Sequence, residues 1–142
     1  MKKIAIIYWS GTGNTEIMAE AILAGALSAG AEASLYKVED ISVEKALEFD
    51  QLVLGCPSMG AEVLEEIDFE PFFTSLEGKL SGKNVALFGS YGWGDGEWMR
   101  DWQTRVETSG AKLFEEGLMI NETPDDEGVS ICKAFGERIA SA

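Results

Sequence analysis

Six consecutive residues, Ser10-Gly11-Thr12-Gly13-Asn14-Thr15, carry the densest chemistry in the chain. Two glycines permit a tight backbone turn, three hydroxyls and an amide surround it, and an amphipathic stretch starts at once. Backbone N–H groups at a helix start, supplemented by Ser and Thr hydroxyls, form an anion site. A nucleotide-triphosphate loop would need Gly-Lys-Ser/Thr here, and no lysine is present. A dinucleotide fingerprint starting at Gly11 would need glycine at position 16, which is Glu16. What remains is a neutral nest with no cation, suited to a terminal phosphate monoester. The same residues would also cap a plain strand-to-helix turn.

Two further Gly-containing segments carry large flat or polarisable side chains. They are Cys56-Pro57-Ser58-Met59-Gly60-Ala61-Glu62 and Gly89-Ser90-Tyr91-Gly92-Trp93-Gly94-Asp95-Gly96. Glycines let backbone approach a flat ligand closely. The chain has no histidine, which removes His-dependent triads, His-ligated metals and imidazole acid–base chemistry. Cys56 and Cys132 show no metal spacing and are too few for a disulfide framework, which suits a reducing compartment. Cys132 and Arg138 match the C-x5-R spacing of tyrosine phosphatases. They fall in a terminal helix, about 240° apart around its axis, where no phosphate loop can form.

The elements that must position these loops repeat a simple pattern. Lys3–Tyr8 is an apolar run, as expected of a parallel strand covered on both faces. Ile17, Ala21, Ile22, Gly25 and Leu27 mark a helix over about 14–29, ending near Gly30. Ala33–Val38 reads as a second strand, Ser42–Leu47 as a short helix and Leu52–Gly55 as a third strand. After an acidic loop at 57–68, Phe69, Phe72, Phe73 and Leu76 mark another helix. Asn84–Phe88 is the fourth strand, and Trp98, Met99, Trp102 and Val106 give the next helix one apolar face. A fifth strand is expected near Lys112–Ile120. A last helix over about 125–140 carries Val129, Cys132, Phe135 and Ile139. The pattern predicts one α/β domain over 1–142, a doubly wound five-stranded parallel sheet with helices on both faces. Ligands are then expected at the carboxyl ends of the strands.

Charge bounds the partners. The 142 residues hold 11 Lys+Arg and 25 Asp+Glu, a net charge of −14. Nucleic acid and anionic membrane surfaces are repelled, and a basic protein surface is attracted. The apolar run near the N-terminus spans about six residues, short of the roughly 7–15 of a secretory leader and the about 20 of a membrane span. These features predict a cytoplasmic, soluble protein.

The string Ile6-Ile7-Tyr8-x-Ser10-x-x-Gly13-x-Thr15-x-x-x-Ala19-x-x-Ile22 resembles the flavodoxin signature position for position. The likeness extends over essentially the whole chain, because the two other Gly-containing loops occur in order. It is closest to the short-chain members of anaerobic bacteria, since 112–120 has no room for the insertion that interrupts strand five in long-chain members. The resemblance implies strand order 2-1-3-4-5 and one tightly, noncovalently bound FMN. It also implies a monomeric, low-potential one-electron carrier, shuttling between semiquinone and hydroquinone, and no substrate turnover of its own. Its partners would be basic docking faces of redox proteins, such as ferredoxin/flavodoxin-type reductases and oxidoreductases.

By the same resemblance, Ser10, Gly11, Thr12, Gly13, Asn14 and Thr15 hold the phosphate. Ser58, Met59, Gly60, Ala61 and Glu62 on one side, and Ser90, Tyr91, Gly92, Trp93 and Gly94 on the other, sandwich the isoalloxazine. Trp93 would stack on the flavin, Met59 would cover its inner face, and Glu62 would accept from flavin N3–H. Gly60 would lie in a peptide that turns over to face N5. Asn121 and Glu122 would approach the ribityl side, and Trp9 would line either the phosphate or the dimethylbenzene side. Trp98 and Trp102, at i and i+4, are assigned to the core, and Cys56 is a buried thiol. Three other classes use related folds. An FMN-dependent quinone or nitro reductase needs spare chain for a substrate pocket, and none is evident. A ribonucleotide reductase activator would have a less acidic flavin rim. A receiver domain needs an acidic pair where Trp9-Ser10 stands.

Overall fold

The computed structural model describes residues 2–142. Strand β1 (Lys3–Tyr8) lies between β2 (Glu32–Lys37) and β3 (Gln51–Gly55), and β3 pairs with β4 (Asn84–Tyr91), all parallel. The register aligns Tyr8 with Gly55 and Gly55 with Phe88, so these three strands reach one edge together. Strand order is β2-β1-β3-β4, and the place beside β4 is shared by two short strands. Strand β5 (Lys112–Leu113) pairs with Asn84 and Val85, and β6 (Leu118–Asn121) pairs with Phe88 to Tyr91.

This corrects the expectation of one strand over 112–120. A turn at 114–117 breaks the ladder, with Glu115 at φ 54, and the chain then rejoins β4. Among the described residues the sheet therefore has six strands, with β5 and β6 sharing the fifth place of the expected order. Strand β4 also runs three residues past Phe88, which shortens the loop after it to residues 92–96.

Alternate residues of each central strand face opposite layers. Ile4, Ile6, Val53, Ala86 and Phe88 pack with Met18, Ile22, Phe135 and Ile139 from α1 (Asn14–Ser28) and α5 (Asp126–Ser141). Ala5, Ile7, Leu52, Leu54, Val85 and Leu87 pack under α2 (Val43–Ala46), α3 (Phe69–Glu77) and α4 (Glu97–Thr108). Both faces of the sheet are thus covered, which is why its central strands read as continuous apolar runs. Trp98 and Trp102 are buried as expected, and Trp102 meets Phe69 and Phe73 edge to face. Leu27 and Val129 turn out to be exposed and Ile17 only half-buried, and the core positions of α1 fall one residue away, on Met18 and Ala26. Ser42 caps α2 by accepting from Lys45 N, and Asp125 caps α5 by accepting from Gly128 N.

Helices α3 and α4 are clamped by Arg105. Its guanidinium donates twice to Glu70 at 2.8 Å and twice to Glu77 at 3.0 and 3.1 Å, and lies over the Phe73 ring. These hydrogen bonds hold the Glu70 carboxyl below its ordinary range against the opposing effect of burial. Stability from a lowered carboxyl is complete above the unfolded pKa of about 4.3 and is lost as pH falls through the folded value. The side chains are about one-third exposed, so solvent screens the pair. Arg105→Leu is expected to cost about 1 kcal/mol at pH 7 and less at pH 3 by urea denaturation. A cost that does not change with pH would assign the effect to packing on Phe73.

Candidate cofactor site

The loop joining β1 to α1 is built around Ser10. Its Oγ accepts from Gly13 N at 3.1 Å and from Glu16 N at 3.3 Å, which folds residues 10–16 into a ring of inward amides. Gly13 sits at φ 96 at the start of α1. Thr12 Oγ1 accepts a longer bond from Asn14 N at 3.4 Å. Among the described residues, no acceptor takes the backbone N–H groups of Gly11, Thr12 and Thr15. Unpaired amides at the positive end of a fifteen-residue helix favour an anion.

Two clefts adjoin this loop and share Trp9, Gly11 and Thr12. The first, of about 220 Å³, is walled by Trp9, Pro57, Ser58, Met59, Ser90, Tyr91 and Gly92, with Asn14 and Glu122 at its rim. The second, of about 350 Å³, is polar and lies toward β2, where Lys37 and Glu39 line it with Tyr8, Ser10, Gly13 and Glu16. Lys37 corrects the picture of a loop without a nearby cation. The residue ends β2 three strand positions after Ser34, and only the β1–β2 register, which pairs it with Tyr8, brings it here. Glu16 is occupied by Tyr8, whose hydroxyl donates to it at 2.6 Å. Burial, and then this bond, push the Tyr8 hydroxyl pKa well up, so it stays protonated.

The second loop is a small hairpin. Met59 and Val63 exchange backbone hydrogen bonds at 2.9 Å, leaving Gly60, Ala61 and Glu62 at the tip. Gly60 has φ 49 and Glu62 φ 55, whereas Ala61 is not left-handed. A left-handed glutamate costs about 1 kcal/mol or more, and a hydrogen bond holds it there. Glu62 Oε1 accepts from Glu97 N at 3.0 Å, capping α4, and the carboxylate lies against Gly94. Glu62 is buried and its Oε2 takes no donor among the described residues.

Glu65 anchors the hairpin from behind. Its carboxylate accepts from Ile67, Asp68 and Phe69 N at 2.8–2.9 Å, at the start of α3. Burial alone would raise its carboxyl pKa, but the three donors outweigh burial and leave it below the ordinary range. Glu65 N donates to Cys56 Sγ, and burial pushes that thiol up, so Cys56 is an inert neutral thiol. Cys132 is likewise buried, its pKa pushed up to about 12, while Arg138 pairs with Glu115, so the C-x5-R spacing builds no site.

The third loop meets the other two at Ser90. Its carbonyl accepts from Ser58 N at 3.0 Å and its Oγ lies 2.8 Å from Thr15 Oγ1. Asn121 Nδ2 donates to Tyr91 O, and Thr123 Oγ1 donates to Asn14 Oδ1, so a fourth segment, 121–123, closes the edge. Thr123 carried no sequence signal, since the contact joins residues 109 apart.

Thus Ser10 to Asn14, Ser58, Met59, Ser90, Tyr91 and Gly92 line the two clefts, joined by Trp9 and Glu122. Thr15 lies buried beneath them. Gly60, Ala61, Glu62, Trp93, Gly94 and Asn121 do not line the first cleft. Trp93 is 64% exposed, next in sequence to the cleft residue Gly92, and its ring packs on no other aromatic ring among the described residues.

Over residues 6–135 the chain matches the family model described as Flavodoxin. The chain belongs to the flavodoxin family. It is 49% identical to the flavodoxin of Clostridium beijerinckii, over 96% of this chain and 98% of that one. Identity to the flavodoxin of Megasphaera elsdenii is also 49%, over 98% and 99% of the two chains. The solution structure of the two-electron-reduced Megasphaera elsdenii flavodoxin superposes with a TM-score of 0.88, covering 98% of this chain and 99% of that one. Flavodoxins are FMN-binding electron-transfer proteins rather than enzymes, and these relatives are short-chain members. The residues present fit FMN: unpaired amides at one end suit a phosphate, and the Trp9, Met59 and Tyr91 walls suit a flat ring system.

Proposed function

We propose that this chain is a cytoplasmic, monomeric, low-potential one-electron carrier whose FMN shuttles between semiquinone and hydroquinone to serve basic redox proteins. The observation that carries the reading is the convergence of three loops on one cleft, with unpaired amides at its helix end. Bound FMN supplies the redox centre. Ser10 to Thr15 hold the phosphate, and the loops at 58–62 and 90–94, with Asn121, hold the rings. Glu62 takes the N3 hydrogen through Oε2, the oxygen left over while Oε1 accepts from Glu97 N. Trp93 supplies the exposed ring that covers the outer face. No helix among the described residues is long and apolar enough to cross a membrane.

Acidity sets potential and docking. Asp95 is paired with Arg100, and the carboxylates of Glu62 and Glu65 brace the hairpin, so charge is best tested at acids that hold no structural bond. Glu66, Asp68 and Glu97 are exposed and form no ion pair among the described residues. At about 10 Å and an effective dielectric near 30, each charge opposes added negative charge by about 1 kcal/mol, or about 40 mV. Replacing all three by amides should raise the second-electron potential by roughly 50–100 mV after screening. It should also weaken binding to a basic reductase, and added salt should do the same to the parent. An unmoved potential together with salt-independent docking would overturn the charge argument.

Gly60 tests the shuttle. A peptide that turns over at the hairpin tip must pass through backbone regions that glycine enters without a Cβ penalty. Gly60 already stands at φ 49, where a threonine is strained although space is open around it. Gly60→Thr should fold and bind FMN but accumulate much less semiquinone on reductive titration. An unchanged yield would remove the hairpin from control of the two electron steps.

A further inference from the structure

We infer that the Ser90 hydroxyl, within a loop that holds the rings, positions the phosphate end of the site through Thr15 rather than touching the ring system itself. The inference rests on the FMN reading above. Thr15 and Ser90 are both almost fully buried, at 1% and 4% exposure. Their hydroxyl oxygens lie 2.8 Å apart, and Ser90 N also donates to Thr15 Oγ1 at 3.4 Å. Two hydroxyls bring two hydrogens, yet one bond joins them and neither has another acceptor among the described residues. One buried hydroxyl hydrogen is therefore left unspent, a costly state without a ligand.

Either hydroxyl can donate in the 2.8 Å bond, and we assign Ser90 O–H as the donor because Thr15 is the partner that lies in the loop with unpaired amides. Ser90 N–H already occupies one lone pair of Thr15 Oγ1. If Ser90 O–H donates to the other, both lone pairs are filled and the Thr15 hydrogen points away from Ser90. Thr15 also carries an unpaired backbone N–H, next to those of Gly11 and Thr12. The residue then presents two donors to one anion, and Ser90 fixes the orientation of the second. Donation by Ser90 also polarises the Thr15 hydroxyl and strengthens its onward bond to a charged acceptor. The pair spans 75 residues, so it links the first loop directly to the end of β4.

The test compares FMN with riboflavin, which lacks the phosphate, by fluorescence titration of the flavin-free protein. Thr15→Val should weaken FMN by about 10- to 100-fold, as expected for one bond to a charged group. Ser90→Ala should weaken FMN by about 3- to 10-fold. Both variants should leave riboflavin within about 2-fold of the parent. In the Thr15→Val background, Ser90→Ala should cause no further loss of FMN, because the relay is already broken. Thr15→Ser, which keeps the hydroxyl with little change in volume, should retain the preference for FMN. Equal losses of FMN and riboflavin in Ser90→Ala would overturn the inference and return Ser90 to the ring system. Additive FMN losses in the double variant would overturn it too. A parent protein that takes up neither flavin would instead overturn the FMN reading itself.

Discussion

Gly25→Ala is expected to destabilise the protein by about 3 kcal/mol, a large share of the roughly 5–15 kcal/mol typical of a whole domain. Helices α1 and α5 touch backbone to backbone. A Cβ on Gly25 would stand 1.9 Å from Lys133 O, and one on Gly136 would stand 2.1 Å from Ile22 O. Neither obstacle is a side chain that can rotate away, so any added atom must push the helices apart. That separation opens the layer holding Met18, Ile22, Phe135 and Ile139. Gly136→Ala should cost a similar amount, and the double variant less than the sum, because the first substitution already separates the pair. Gly78→Ala is the control. Gly78 ends α3 with φ −72 and open space around its missing Cβ, so alanine there should be neutral or mildly stabilising. Urea denaturation of the four variants checks the contrast. A Gly25→Ala protein as stable as the parent would mean that the helices do not approach so closely.

The second large effect is discrimination by the first loop. Three unpaired amides at the start of α1, with the Thr12 and Thr15 hydroxyls, are placed for a phosphate. A hydrogen bond to a charged group contributes roughly 1.5–3 kcal/mol. Three such bonds, less the cost of desolvating a dianion, favour FMN over riboflavin on the order of 1000-fold. Ser10→Ala should erase much of that ratio, since Ser10 Oγ holds the Gly13 and Glu16 amides in the ring. Inorganic phosphate should compete with FMN and not with riboflavin. Equal affinity for the two flavins would remove the loop from the phosphate.

Strands β1 and β4 were legible because layers on both faces force an unbroken apolar run, and such runs are visible locally. The edge beside β4 was not, because its break depends on a turn at Glu115 and on a rejoining with Phe88 to Tyr91 that no local pattern encodes. The loop signature gave Ser10 to Thr15 their place directly. Lys37 was missed because the register of β2 on β1, not its sequence neighbours, carries it to the second cleft. Glu65 shows in the sequence only as part of the acidic loop at 57–68, and its burial follows from the turn into α3. The bonds of Glu62 to Glu97 and of Ser90 to Thr15 join residues 35 and 75 apart, and only the assembled sheet shows them.

Anaerobic reductive titration of the purified protein, followed in the visible spectrum, tests the central claim most directly. The account predicts a yellow protein with one FMN per chain that is reduced in two separated one-electron steps. The second step should lie at low potential, and direct oxidation of NADPH by quinone should not exceed that of free FMN. A colourless protein that also fails to take up added FMN would contradict it.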